Sequence, residues 1–510
     1  MTEKHRGPLK SVLPVRVWSC LAAIILVLLV TAPYGAGISP DSVAYISAAR
    51  ELCVGDGYTT FDREPLVSWP PAFPTVIAAF SLFGVDAPAG ARYLNAIVFG
   101  LIVLAGSYLL NALIEDKRLV ALGVVLIILS KPLQLVSMMV WSEPLFILAV
   151  TIFLISFQSY LGSGSMKVFA VSVICAALAC LTRYIGVTVV MTAGLALLLR
   201  PGPRLSIRVS QAIAFVSLAS APVVAWWMRN FLIAGSLTGP RAPAESSFPR
   251  NLTRMTETIL VWFLPLLLGV LLLWWARRKK PADLTTPIGL LRRSSVTGIF
   301  ICVYLGLLIL SAAATGIDAL SHRLLAPVYL PLLVLILLWV DRRGLLCHGA
   351  EARGQIVTCV IAVLLAVTWP VADSALRAAK FVSDGIPTYT TKKWLESELL
   401  DEISGLPDSS VIYSNAPDAI YILTGRSALF SPYKNESLTL ANSKRRLDAF
   451  TKTLDKGLPV YLFWFTSVKR KYLYTVEELH DRCELELRAA MSDGEFYTVR
   501  SPVTIQDQSQ

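Results

Sequence analysis

Residues 17–45 read VWSCLAAIILVLLVTAPYGAGISPDSVAY. Val17 to Ala32 is apolar enough to enter a bilayer, and Pro40-Asp41-Ser42-Val43-Ala44-Tyr45 follows shortly after. Lys4, Arg6, Lys10 and Arg16 precede the run. Its length is at or beyond the roughly 7–15 residues of a cleaved signal peptide's apolar region, so it reads as an uncleaved anchor. Asp41 is therefore expected just beyond the membrane, opposite the basic N-terminus. A carboxylate so placed could act on a substrate presented by lipid.

The whole chain carries the same character outward. Its 510 residues are 55% hydrophobic, with a mean hydropathy of +0.62. That apolar share exceeds the roughly 45–50% of soluble domains and points to a polytopic membrane protein, mainly α-helical. Taking roughly 20 apolar residues per crossing, eleven stretches qualify or nearly so. They centre in 17–35, 92–112, 119–137, 143–161, 167–182, 185–199, 209–228, 258–276, 296–315, 324–340 and 356–373.

The formal charge is +11, and its distribution orients these spans. Basic residues gather at alternate junctions: Lys117 and Arg118, Lys167, Arg200 to Arg208, Arg277 to Lys280, Arg292 and Arg293, Arg342, Arg343 and Arg353. The positive-inside rule assigns all of them to the cytoplasm. That places the N-terminus inside, the C-terminal region outside, and the chain in the inner (plasma) membrane. Residues 167–199 must then form two short spans rather than one long one, with Arg183 at an outer turn. Charge spread over short inter-helix loops argues against nucleic acid as a partner. The eight cysteines show no CxxC pair and no zinc spacing, so neither a disulfide framework nor a structural metal is implied.

Two domains are expected, a membrane domain over 1–373 and a small extracytoplasmic α/β domain over 374–510. Residues 36–91 form a long external loop. Within it Ser42 to Leu52 has helical spacing, and Thr75 to Phe83 suits an interfacial helix anchored by Trp69 and Phe73. Beyond 374, Ser410–Ser414 and Val460–Phe465 look like buried strands. Lys444–Asp455 and Val476–Cys483 look helical, and Asp493-Gly494 suits a hairpin turn.

Seven residues could carry chemistry. Asp41 could accept a proton from an acceptor hydroxyl or amine, or merely cap the helix that follows. Tyr45, four residues on, shares its helix face and could orient the carboxylate, stack on a sugar or anchor at the interface. Glu143 opens a span where an acid is costly unless it faces a cavity or partner; it could line a cleft or simply favour the helix N-terminus. Arg183, His322 and Arg323 stand at outer helix ends and could hold phosphate oxygens. Their bland alternatives are snorkelling, helix capping and non-specific lipid contact. Lys131, before Pro132, completes the set.

Pro40-Asp41-x-x-x-Tyr45 after a first anchor, then Trp69-Pro70-Pro71-x-Phe73-Pro74, resembles the start of the GT-C membrane glycosyltransferases. Within that class the similarity is greatest to the branch of protein O-mannosyltransferases and aminoarabinose transferases. Ser142-Glu143-Pro144-Leu145, Leu181-Thr182-Arg183-Tyr184-x-Gly186, Arg229-Asn230-x-x-x-x-Gly235 and Arg323-x-x-x-Pro327 extend it in order over roughly 15–340. The resemblance implies a sugar transferase with a polyprenyl-phosphate-linked donor, acting at the outer face on a lipid, glycan or protein acceptor. It implies that Asp41 is catalytic and that Lys131 belongs with the cations of the site. Several members carry two adjacent acids in the first loop, whereas Ser42 follows Asp41 here. That counts against carrying over a paired-carboxylate or metal scheme; a divalent metal is compatible with the sequence but not indicated by it. No Gly-rich phosphate loop is present, so no nucleotide is expected. The competing class is a transporter or flippase for a lipid or small solute.

Overall fold

The computed structural model describes residues 9–239, 246–277, 287–316, 320–346, 353–434 and 440–501. The basic calls at 4, 6 and 278–280, and Cys347, lie outside them. Fourteen helices come first: α1 (Leu9–Val30), α2 (Pro40–Val54), α3 (Ala72–Ser81), α4 (Ala87–Leu113), α5 (Lys117–Ile128), α6 (Lys131–Ser137) and α7 (Glu143–Ser163), then α8 (Met166–Thr182), α9 (Val187–Leu199), α10 (Leu205–Ala234), α11 (Phe248–Arg277), α12 (Pro287–Ala314), α13 (His322–Arg342) and α14 (Arg353–Asp384).

Among the described residues seven helices, α4, α7 and α10 to α14, are long and apolar enough to cross a membrane. The pair α5 and α6, bent by 45°, makes an eighth if counted as one span. Lys131-Pro132 sits at that bend, where proline can open a helix but not continue one. The remaining three expected stretches fall on α1, α8 and α9, which are apolar but shorter over their described residues. The protein is thus a multi-pass membrane protein. On α11, Leu260, Leu264, Leu268 and Leu271 are exposed at helical spacing, as a lipid-facing stripe should be.

The 167–199 stretch is two helices. Arg183 leaves helical geometry at φ −149°, ψ 137°. Gly186 then lies against the Ala179 backbone so closely that a Cβ would collide with its carbonyl. Seven residues of continuous helix would separate these positions by about 10 Å, so the chain reverses here.

The first long loop folds inward. All residues from Ser42 to Ala49 on α2 are buried. Phe73 is buried against Tyr45 with ring centroids 5.1 Å apart, and Trp69 meets the same ring at 6.0 Å. These aromatics serve the interior, contrary to the interfacial anchoring expected of them. The exposed apolar tip after α3 is Leu82-Phe83.

Helix α14 continues past 373 to Asp384, and a small sheet unit follows. It contains α15 (Lys392–Leu395), α16 (Glu398–Ser404), β1 (Val411–Ser414), α17 (Pro417–Thr424), β2 (Leu429–Phe430), α18 (Leu440–Leu454), β3 (Val460–Phe465), α19 (Val476–His480), β4 (Glu484–Ala490) and β5 (Gly494–Arg500). The sheet order is β2-β1-β3-β5-β4, with β1 parallel to β2 and β3, and the β4–β5 hairpin antiparallel. Strand alternation divides its faces. Phe463 and Phe465 join the core shared with the helices, while Val460 and Leu462 pack with Phe450 and Leu479 on the other side.

Candidate functional site

A short backbone strap places the first loop against the start of α7. The Gly37 N–H donates to Met138 O (2.9 Å), and the Val140 N–H donates to Gly37 O (2.9 Å). Only glycine fits: a Cβ at 37 would collide with Met139 and Ile386. The strap brings Ser39-Pro40-Asp41 beside Trp141-Ser142-Glu143. The Trp141 indole then donates to Ser39 Oγ at 2.7 Å.

Ser39, not Asp41, caps α2. Ser39 and Ser42 exchange hydrogen bonds across the cap, with Pro40 in the first turn. The Asp41 carboxylate is left to reach outward, and Arg323 Nη2 meets it at 2.6 Å. Arg323 Nε donates to Glu143 Oε1 at 2.5 Å, and Arg183 Nη1 meets the same oxygen at 2.6 Å. The order Asp41–Arg323–Glu143–Arg183 thus alternates in sign. The Arg323 guanidinium also lies 4.1 Å over the Trp141 ring. The Tyr45 hydroxyl is 3.2 Å from Ser142 Oγ, which accepts from Arg183 Nη1 at 3.3 Å. Burial pushes the Tyr45 phenol well above its ordinary pKa, so it stays protonated.

Asp41, Tyr45, Trp69, Arg183, Tyr304 and Arg323 line one cavity of about 390 Å³. The two acids differ in access to it. The Asp41 side chain is 29% exposed, while that of Glu143 is 1% exposed. Glu143 therefore stands behind the arginines rather than lining the cleft, and its Oε2 has no hydrogen-bond partner among the described residues. Among those residues no group of three His, Cys, Asp or Glu side chains is placed to hold a metal ion.

Five of the seven expected residues come together: Asp41, Tyr45, Glu143, Arg183 and Arg323. Lys131 and His322 lie elsewhere. His322 Nδ1 accepts from the Trp262 indole at 2.6 Å, and the two rings stack. Neither Lys131 nor His322 lines the cavity. Adjacent residues on a helix point about 100° apart, which sends His322 away from Arg323.

Three supporting groups have no role in the sequence reading. Tyr304 on α12 carries no motif around it, and Ser142 is a small neighbour of a more conspicuous acid. Asn230 is fully buried and donates to the Tyr184 hydroxyl (3.1 Å) and Leu237 O (3.0 Å). Arg229, from the same motif, donates to Leu66 O (2.8 Å) and braces the first loop. The Arg-Asn dipeptide was the available signal.

No protein-family model matches the chain, and no curated protein matches it. Solved structures do. ArnT from Cupriavidus metallidurans in the apo state aligns over 96% of this chain and 98% of its own, at 14% identity and TM-score 0.62. The same protein bound to undecaprenyl phosphate gives the same coverage and identity at TM-score 0.54. Arabinofuranosyltransferase AftD from Mycobacteria aligns over 96% of this chain and 42% of its own, at 15% identity and TM-score 0.50. The chain has the GT-C membrane fold. Identities this low speak for architecture. In that GT-C architecture the four charged residues converge from the starts of α2, α7 and α13 and from the end of α8.

Proposed function

We propose that this protein is a membrane glycosyltransferase. It moves a sugar from a polyprenyl-phosphate-linked donor to a lipid, glycan or protein acceptor at the outer face of the inner membrane. The single observation that carries this is Asp41, the accessible acid of the cavity, held 2.6 Å from Arg323. One wall thereby offers a proton acceptor beside a cation, the two groups a displacement at a sugar phosphate requires. The structural likeness to ArnT, which has been crystallised bound to undecaprenyl phosphate, supports the donor class.

Asp41 takes the proton from the acceptor hydroxyl or amine as that atom attacks the anomeric carbon. The bond from that carbon to the phosphate oxygen breaks, and its electron pair stays with the phosphate. Attack opposite the leaving group inverts the centre. Arg323 and Arg183 face the same cavity and stabilise the departing phosphate, a role in which fixed cations contribute most. Glu143 is a positioning residue: it fixes both guanidinium groups before substrate arrives. The C-terminal unit, over the same end of the bundle, serves acceptor recognition.

The test is transfer by purified protein from a radiolabelled prenyl-phosphate sugar. Asp41→Asn should lower the rate about 10²–10⁴-fold, as loss of a general base does. Unchanged transfer in that variant would remove the assignment. Multiple spans and the bend between α5 and α6 are features a transporter would also have. Solute flux in vesicles without transfer from any prenyl donor would decide for that class instead.

A further inference from the structure

Three consecutive residues ahead of Asp41 are each tied to a distant part of the chain. Gly37 is bonded through both its N–H and its C=O to the segment before α7. Ser39 accepts from the Trp141 indole of that same segment. Ile38, between them, is held by the turn after α14. Its N–H donates to Thr388 Oγ1 at 3.0 Å, and its C=O accepts from the Tyr389 N–H at 3.0 Å. The Thr388 hydroxyl directs its own proton at Ile386 O (3.3 Å) or Thr390 Oγ1 (3.2 Å), which leaves a lone pair for Ile38.

Thr388 and Tyr389 belong to the C-terminal unit. Gly385 ends α14 at φ +79°, a conformation that glycine takes without strain, and the Thr391 N–H then donates back to Thr388 O at 3.2 Å. The Tyr389 hydroxyl donates to Asp418 Oδ2 on α17 at 2.8 Å. Arg470, in the loop after β3, donates to the same oxygen at 2.7 Å and to the Tyr389 hydroxyl at 3.2 Å. A second tie runs beside the first: Tyr421 on α17 stacks on Phe61 of the first loop at 5.4 Å and accepts from Arg50 Nη1 of α2 at 3.5 Å.

The anchors on Gly37 and Ser39 come from the membrane helices. Asn95 on α4, fully buried, fixes their segment by donating to Met139 O at 2.7 Å and Trp141 O at 3.0 Å. The anchor on Ile38 comes from the C-terminal unit. Asp41 follows three residues later, and Pro40 between them has its φ locked by its ring, so a shift at Ile38 reaches Asp41 with little slack. Without the Thr388 hydroxyl the Ile38 N–H loses its acceptor. An unpaired donor in a largely buried segment is costly, so the backbone there would move to find another partner.

We propose that Thr388 is a positioning residue for the transfer: through Ile38 it sets where Asp41 stands, so the C-terminal unit is part of the frame of the reacting centre as well as a recognition surface. This rests on the reaction proposed for Asp41. Neither Thr388 nor Tyr389 lines the cavity, so Thr388 acts through Ile38 and not on substrate. Its loss should therefore separate rate from binding.

The experiment uses the full chain in detergent and two measurements: transfer from a radiolabelled prenyl-phosphate sugar, and hydrogen exchange of peptides covering Ile38. Thr388→Val should lower kcat about 10- to 100-fold with the donor KM within about twofold, because a displaced reacting group loses rate without losing binding. Thr388→Ala, which places no methyl against Ile38, should show the same split. Thr388→Ser keeps the hydroxyl and should recover most of the rate. In the Asp41→Asn background Thr388→Val should cost little more, since both act through one carboxylate. Exchange at Ile38 should rise in Thr388→Val and match the wild type in Thr388→Ser. Unchanged kcat in both Thr388→Val and Thr388→Ala overturns the proposal. So does a loss that Thr388→Ser fails to recover, or one equally large with and without Asp41, since either marks general damage to packing. The two readings fail separately. Asp41-dependent transfer at full rate in Thr388→Val removes the positioning role and leaves the reaction. No transfer by the wild type from any prenyl donor removes the reaction, and the positioning role falls with it even where exchange at Ile38 rises.

Discussion

Asp41 and Glu143 share one arginine, yet their loss should have opposite signatures. Glu143 is buried and holds both Arg183 and Arg323. Replacing it by alanine leaves the Arg183 guanidinium without its counter-charge and Arg323 with Asp41 alone. Removing one partner of a buried ion pair typically costs about 3–5 kcal/mol. Glu143→Ala should therefore lower the melting temperature markedly in detergent. Asp41 is partly exposed, and Arg323 keeps Glu143 when Asp41 is neutralised, so Asp41→Asn should cost no more than about 1 kcal/mol. Thermal unfolding of both variants checks this; equal losses would mean that Asp41 is a structural partner first. At this scale the sequence revealed the right residue types but not their company. Arg323 lies 282 positions from Asp41 and 180 from Glu143, and no local pattern encodes such a meeting. The grouping of His322 with Arg323 failed for the opposite reason: chain neighbours on a helix diverge.

Among the elements, the reversal between α8 and α9 sets where Arg183 points. Gly186 makes it possible by lying against Ala179. Its φ of −57° is ordinary, so the constraint is close approach alone. Gly186→Ala should cost about 1–3 kcal/mol through overpacking and shift Arg183, raising the donor KM as well. Gly306 on α12 supplies the control, since a Cβ there meets nothing within 4 Å. Gly306→Ala should be neutral or stabilising by up to about 1 kcal/mol, from helix propensity. Equal effects at both sites would show that the close approach does not matter. The reversal was legible, because one long span would have put Arg277 to Lys280 on the wrong side. The bend at Lys131-Pro132 was legible from proline. The inward packing of Trp69 and Phe73 was not, since an interfacial anchor and a core aromatic share the same composition.

For the whole molecule, orientation is the proposal on which the outer-face chemistry depends, and two cysteines can test it. Cys53, near the end of α2, is exposed on the same end of the bundle as Asp41 and the sheet unit. Cys483 is buried in the second core, and burial pushes its thiol up to about 11. A thiol raised that far is protonated at neutral pH, and the thiolate is the reactive form. Cys483 is therefore a poor reporter despite its position in the C-terminal unit. With that end outside, a membrane-impermeant maleimide added to intact cells at pH 7.5 should modify Cys53 and leave Cys483 unmodified. Denaturation should then expose Cys483, and peptide mass spectrometry resolves the two sites. Labelling of Cys53 only after the membrane is permeabilised would place the cavity on the cytoplasmic side. The cationic loops that imply the outward orientation would then need another explanation, and a donor presented at the outer leaflet could not reach Asp41.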